Sequence, residues 1–151
     1  MTSLFYHDIA VGQTFTSPGR TVTEADHTFF CMLSGDWNPI HVNAEVARTN
    51  RFGQRIVSGV YGIALVTGAM TQWGIFEDSA IAMLNLRDWR FMAPIFIGDT
   101  LTIAMKIVSK RLTTRGDAGI VERRFSILDQ TGKTLQEGFS DLLIALAPKD
   151  R

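Results

Sequence analysis

The apolar positions change period once along the chain. In the first half they recur at helical spacing; after Glu77 they alternate. Thr23-Glu24-Ala25-Asp26 opens a helix, with Thr23 as N-cap and acidic residues in the first turn. Its apolar positions Phe29, Phe30, Met32 and Leu33 end at Ser34-Gly35, a helix stop. A short second helix is predicted to start near Asn43, with Ala44-Glu45-Val46-Ala47-Arg48. A long one begins around Ser58-Gly59, inside a stretch, 56–76, that carries no charged side chain. That length would cross a bilayer. However, Gly59, Gly62, Gly68 and Gly74 interrupt it, polar Ser58, Thr67, Thr71 and Gln72 are interspersed, and no basic flank of the positive-inside type follows, only Glu77-Asp78. A fully buried helix of a globular domain is the expectation. Its small residues Gly62, Ala64, Gly68 and Ala69 let a sheet close tightly around it.

Beyond Glu77, Leu101, Ile103, Met105 and Ile107 fall on one face of an alternating run. Asp117-Ala118-Gly119 and Asp129-Gln130-Thr131-Gly132 are turn signals at the spacing of an antiparallel meander. Strands are therefore predicted over about 81–92, 100–112, 119–128 and 134–146. A buried helix followed by four antiparallel strands implies an α+β fold in which the sheet wraps the helix. One curved sheet covers a helix on one side only, and strand edges need covering, so a dimer with a continuous sheet is expected. No repeat, low-complexity tract or linker appears, and Pro18, Pro39, Pro94 and Pro148 stand singly at expected element edges. The chain reads as one domain, 1–151, consistent with 151 residues.

Fifteen Lys and Arg balance fifteen Asp and Glu, which gives no electrostatic footprint for nucleic acid or an anionic membrane. One cysteine, Cys31, excludes an intrachain disulfide and a Cys-rich metal cluster, and no basic neighbour activates it as a nucleophile. The start of the chain carries no basic region followed by an apolar run, so a cytoplasmic protein is the default.

The chemically informative stretch is Leu33-Ser34-Gly35-Asp36-Trp37-Asn38-Pro39-Ile40-His41. Pro39 biases Asn38 away from helix, so Asp36, Asn38 and His41 are expected to project from an irregular loop between apolar neighbours. A carboxylate and an imidazole against apolar walls suit proton transfer near neutral pH. An Asx-type turn beside a core histidine accounts for the same residues. Downstream, Ile56-Val57-Ser58-Gly59 enters the long helix, where free N–H groups can receive a developing oxyanion at Gly59. Close packing of helix on sheet would equally require that glycine.

Together the two pieces resemble the MaoC-like dehydratases, or R-specific enoyl-CoA hydratases, whose signature is Ser-Gly-Asp-x-Asn-Pro-hydrophobic-His with a later small residue. Asp36, Asn38, Pro39 and His41 match it, and Ala47 suits the small position. The likeness extends to Arg20-Thr21-Val22-Thr23-Glu24-Ala25-Asp26 and to Arg90-Phe91-Met92-Ala93-Pro94-Ile95-Phe96-Ile97-Gly98-Asp99-Thr100-Leu101. It implies a hotdog fold, a homodimer or higher homo-oligomer, and a thioester of coenzyme A or acyl carrier protein as substrate. It also implies reversible addition of water across the 2,3 double bond to give an R-3-hydroxyacyl thioester, with no separate cofactor. Asp36 and His41 would hold and activate one water, Asn38 would orient them, and the Gly59 N–H would polarise the thioester carbonyl. Family members often carry His-Gly where this chain has Ser58-Gly59; Ser58 is expected to cap the helix instead. Thr67 falls where some members place a hydroxyl near the substrate. Two further functions remain for the same fold: a non-catalytic thioester-binding subunit, or a thioesterase.

His7 and His27 lack metal-ligand spacing with His41, so no metal is implied, and His27 is expected at a surface or interface. Lys110, Arg111, Arg115, Arg123 and Arg124 fit either coenzyme A phosphates or an ordinary solvated face. Trp73, Phe76, Trp89 and Phe91 fit an acyl tunnel or core packing equally.

Overall fold

The computed structural model describes residues 2–147; Pro148 lies outside them. After a single 3-10 turn at Tyr6–Asp8 come two short strands, β1 (Thr14–Thr16) and β2 (Arg20–Thr21). Helices α1 (Glu24–Ser34), α2 (Pro39–Val42), α3 (Ala44–Arg48) and α4 (Gly59–Trp73) follow. Five strands complete the chain: β3 (Ala80–Met83), β4 (Arg87–Phe91), β5 (Thr100–Leu112), β6 (Gly119–Leu128) and β7 (Thr134–Ile144). They form an antiparallel seven-stranded sheet in the order β1-β5-β6-β7-β3, with β2 also on β5 and β4 also on β7. This is the expected α+β hotdog arrangement.

The helix signals worked through their stated physics. Thr23 and Asp26 make a reciprocal capping box, and Gly35 closes α1 in the left-handed region at φ 71°, its N–H donating to the Cys31 carbonyl. Asn43 caps α3 by accepting from the N–H groups of Glu45 and Val46. The alternation over β5 is realised: Leu101, Ile103, Met105 and Ile107 are all buried, packed with Val121, Phe125 and Ile127 of β6 beneath Tyr61, Val66 and Ala69 of α4.

Four expectations change. The strand predicted over about 81–92 is broken into β3 and β4. The cause is Asn85, whose side chain donates to Asp141 Oδ2 and accepts from the Asp141 N–H, taking the ladder's place. A bulge between Arg87 and Arg90 then admits Asp88 at φ 50°. Second, the segment around Pro39 is not all loop: α2 is a one-turn helix with Pro39 in its first turn and Asn38 as cap, a position where proline's missing N–H costs nothing. Third, α1 buries His27 and Cys31, four residues apart, and leaves Phe29, Met32 and Leu33 exposed. Fourth, Arg123 is not on a solvated face. It occupies an inward position of β6 and is 1% exposed.

Three strands are also joined by charge. Arg87 donates to Glu122 at 2.7 Å and to Asp141 at 3.1 Å, two acids that sit opposite each other on β6 and β7. Hydrogen bonds from Arg87 and then Ser109 hold Glu122 below the usual carboxylate range. At Asp141 burial opposes ionisation, but bonds from Asn85 and Arg87 outweigh it and the carboxyl is again depressed. Groups with depressed folded values stabilise the fold above their unfolded value and lose that contribution as pH falls through the folded one. The unfolding temperature is thus expected to drop on acidification through and below about pH 4. In Arg87→Met, scanned calorimetrically at the same pH values, that drop is expected to shrink.

Candidate active site

The loop bearing Asp36 is held by its own backbone. Ser34 donates its hydroxyl to the Phe30 carbonyl and accepts from the Asp36 N–H at 3.2 Å, so the chain leaves α1 in one direction. Asn38 then starts α2 by accepting from the Ile40 N–H at 3.2 Å, and α2 carries His41. The His41 Nδ1–H donates to the Ile56 carbonyl at 2.7 Å, while the Ile56 N–H donates back to the Ile40 carbonyl at 3.2 Å. These bonds tie α2 to the strand-like approach of α4. They also leave Nε2 as the imidazole's free nitrogen, facing Asp36 Oδ2 at 3.4 Å. The histidine side chain is 9% exposed and the aspartate 39%, so the pair has one wet side.

His27 stands behind this pair. Its Nε2–H donates to the His41 backbone carbonyl at 2.8 Å, and its ring lies edge-on to His41 at 6.3 Å. Residue spacing could not reveal this partner, because the acceptor is main chain on another element. Cys31 Sγ lies 3.8 Å from the same nitrogen, and burial pushes that thiol up, away from nucleophilic use.

Asp36, His41, Ser58 and Gly59 line one cleft of about 710 Å³ together with Phe91 and Gln136. Gly59 is the first residue of α4, whose opening N–H groups lack intrahelical acceptors and carry the positive end of the helix dipole. A Cβ at position 59 would lie 2.8 Å from the Phe91 ring, so glycine lets the aromatic wall approach the helix end. Ser58 is buried and is the N-cap residue by position, but its side chain makes no capping bond; the expectation that it caps α4 is corrected. Gln136 is a site residue that sequence reading missed. Its Nε2 donates to the Gly59 carbonyl at 3.1 Å, and its Oε1 accepts from Trp89 Nε1 at 3.1 Å. The helix end is thereby fastened to β7 and β4.

Thr67 is not in this cleft. It lies two turns further along α4, donates to the Ala64 carbonyl, and lines a different cavity. Phe91 joins the cleft wall and Trp89 its support, whereas Phe76 is core and Trp73 packs on Phe15. The basic residues on the cleft are Arg51 and Lys133. Of those expected, Lys110 instead donates to the Tyr6 and Ile9 carbonyls, and Arg124 pairs with Glu137. No helix among the described residues is long and apolar enough to cross a membrane. A carboxylate, an imidazole and preorganised N–H donors around one cleft suit proton transfer coupled to a developing oxyanion.

Comparison with known proteins agrees with this architecture. A MaoC like domain matches residues 8–125. The (R)-specific enoyl-CoA hydratase of Rhodospirillum rubrum is 29% identical over 145 residues, covering 93% of this chain and 91% of that one. Protein MaoC of Klebsiella aerogenes is 32% identical over 111 residues, covering 74% of this chain; the match spans only 32% of that longer protein. Among solved structures, the monoamine oxidase regulatory protein from Archaeoglobus fulgius superposes with a TM-score of 0.90 at 28% identity, covering 97% of both chains. The family match runs from the first turn of the chain through α4 into β6 and so takes in every residue of the cleft before Lys133; on that extent, the chain belongs to the family of MaoC-like dehydratase domains.

Proposed function

We propose that this protein is a hydratase that adds water reversibly across the 2,3 double bond of an enoyl thioester, giving the R-3-hydroxyacyl thioester. The observation that carries this reading is the facing of Asp36 Oδ2 and His41 Nε2 at 3.4 Å in the cleft that also holds the Gly59 end of α4. With Nδ1–H committed to Ile56, a neutral His41 presents a lone pair toward a carboxylate. Two acceptors so placed are reconciled by a molecule that donates to both, and water is that molecule.

The water oxygen bonds to C3 as the dyad takes its proton. The π electrons shift toward the thioester carbonyl, where the Gly59 N–H and the helix dipole stabilise the enolate oxygen. The enolate then collapses and C2 receives a proton from the dyad, so one water is consumed and both groups return to their starting state. Asn38 positions His41 by capping α2, and Gln136 positions Gly59. No separate cofactor enters this scheme. The protein works as a cytoplasmic homodimer: the outward face of α4, with Val60, Ala64 and Thr67, and the edge strand β3 are exposed in the single chain.

Arg51 and Lys133 are suited to the phosphates of coenzyme A at the cleft mouth. Arg51→Ala and Lys133→Ala are each expected to raise KM for a coenzyme A thioester by about two- to fivefold, the size of an exposed ion pair. An N-acetylcysteamine thioester, which has no phosphates, should show no change in a side-by-side kinetic comparison.

The reading is tested by incubating the protein with crotonyl-CoA and following loss of enoyl absorbance. The expected product is R-3-hydroxybutyryl-CoA without release of thiol. Free coenzyme A as product would make the protein a thioesterase. Binding without turnover across short, long, branched and dicarboxylic enoyl thioesters would make it a thioester-binding subunit.

A further inference from the structure

Helix α2 is one turn long, and a single turn does not hold itself, because the entropy of fixing its backbone outweighs its few internal hydrogen bonds. Its carbonyls therefore matter one by one. The Asn38 carbonyl accepts from the His41 N–H at 2.8 Å, that of Pro39 from the Asn43 N–H at 2.9 Å, and that of Ile40 from the Ile56 N–H at 3.2 Å. The His41 carbonyl is placed differently. In a continuing helix its donor would be the N–H of Glu45, four residues on. That N–H is taken by Asn43 Oδ1, which caps α3 at 3.0 Å. The donor comes instead from α1, as the Nε2–H of His27 at 2.8 Å.

Histidine is an unfavourable choice for that place on packing grounds alone. His27 is 1% exposed, and its Nδ1 is buried with no hydrogen-bond partner among the described residues. Nε2 has the carbonyl, with Cys31 Sγ beside it at 3.8 Å, so the ring proton sits on Nε2 and Nδ1 is left as a bare lone pair. An unpaired polar atom in the interior is destabilising, and an apolar side chain of similar volume avoids it. What the imidazole adds to packing is one donor, aimed at the backbone of the residue whose own ring faces Asp36. His27 and its acceptor belong to one chain and the ring is already closed off from solvent there, so a second copy neither covers nor completes the contact.

We propose that His27 is a positioning residue for the Asp36 and His41 pair: its Nε2–H replaces the helical donor that α2 lacks and fixes the backbone from which the His41 ring projects. Asn38 fixes the start of α2 and His27 fixes its end. His41 is thereby held at two points. Its main chain is tied to α1 through His27, and its ring to the approach of α4 through the Nδ1–H bond to the Ile56 carbonyl at 2.7 Å. The first tie sets where the side chain begins and the second sets its rotation, and together they keep Nε2 facing Asp36 Oδ2 at 3.4 Å. The consequence for rate rests on the hydratase reading; the consequence for the His41 ring does not. Without the tie to α1 the ring samples other placements, and fewer of them present Nε2 to a shared water. Turnover falls, while binding of a thioester through Gly59, Arg51 and Lys133 is little changed.

The test compares two variants that fill the space without a donor, His27→Phe and His27→Leu, with His27→Gln, whose side-chain amide can donate from near the position of Nε2. Cys31→Ala is the packing control, since it alters the surroundings of the imidazole and leaves the bond in place. In crotonyl-CoA hydration the two donorless variants are expected to lose about 10- to 100-fold in kcat with KM within about twofold of wild type. His27→Gln should return kcat to within about threefold of wild type, and Cys31→Ala should match it. Nitrogen NMR of the His41 ring, recorded without substrate, reads which nitrogen carries the proton. A single tautomer, protonated at Nδ1, is expected in the wild type, His27→Gln and Cys31→Ala, and a mixture in the donorless variants. Wild-type kcat in a folded donorless variant, a single tautomer there, or equal losses in all four variants would overturn the proposal. A wild type that hydrates nothing, but whose His41 tautomer becomes mixed in His27→Phe and not in His27→Gln, keeps the positioning role while removing the hydratase reading.

Discussion

Hydration of crotonyl-CoA is expected to slow by at least about 10²–10⁴-fold in His41→Ala and in Asp36→Asn, the range for losing a positioned acid–base group. The two variants fail differently. His41→Ala removes the imidazole nitrogen that faces Asp36 and also empties the bond to the Ile56 carbonyl. Asp36→Asn keeps shape and the Ser34 contact to the backbone but turns an acceptor-only group into one with donors. In the proposed mechanism the two groups act on one water, so the double variant is expected to be little slower than the slower single variant. Steady-state kcat with circular dichroism on each variant checks this. Full additivity of the two losses would mean that Asp36 and His41 do separate jobs.

The second large effect is expected from a residue that touches no substrate. In Gly138→Ala, the added Cβ would overlap Trp89 Cε3 and lie 2.9 Å from the Trp89 backbone Cα. The second of these is main chain, so the strand itself must move. Overpacking of this kind costs roughly 1–3 kcal/mol, which urea unfolding would read directly. The displacement also propagates. Trp89 is the donor to Gln136, and Gln136 is the donor to the Gly59 carbonyl, so a shift of the indole loosens the helix end that lines the cleft. A misplacement of about 1 Å at such a point can lower the rate by about 10²-fold. The expected pattern is a fall in kcat larger than the rise in KM, with secondary structure retained. A destabilised variant with unchanged kcat would uncouple Trp89 and Gln136 from the chemistry.

What was legible in the chain follows from which signals are local. Capping by Thr23 and Asn43 and the stop at Gly35 depend on residues within one turn, and all three stand in the structure. The alternation over β5 and the turns before β6 and β7 likewise fixed three strands within a residue or two. Asn85 was not legible, because a side chain that substitutes for a ladder bond needs its partner Asp141 on another strand. His27 was misjudged for a related reason. The residue between apolar Phe29 and Phe30 and the N-cap looked polar and outward, yet its acceptor, the His41 carbonyl, belongs to α2. Gln136 acts only through the register that sets β7 beside the start of α4. Arg123 did leave a trace: it shares parity with Val121, Phe125 and Ile127, an ionised residue at an inward phase. Reading the run as a charge pair with Arg124 hid that parity.

The anchor of the His41 imidazole is a backbone atom. His41 Nδ1–H ends on the carbonyl of Ile56, and the Ile56 side chain meanwhile lines the cleft. One residue therefore serves two masters that mutate independently: its main chain holds the tautomer, and its side chain shapes the wall against which an acyl group would lie. Exchanging that side chain for another alters the cleft without deleting the acceptor. Substitution at position 56 can thus reshape the cleft wall while the carbonyl that holds the His41 ring stays in place, which makes it a place to begin when altering selectivity by design.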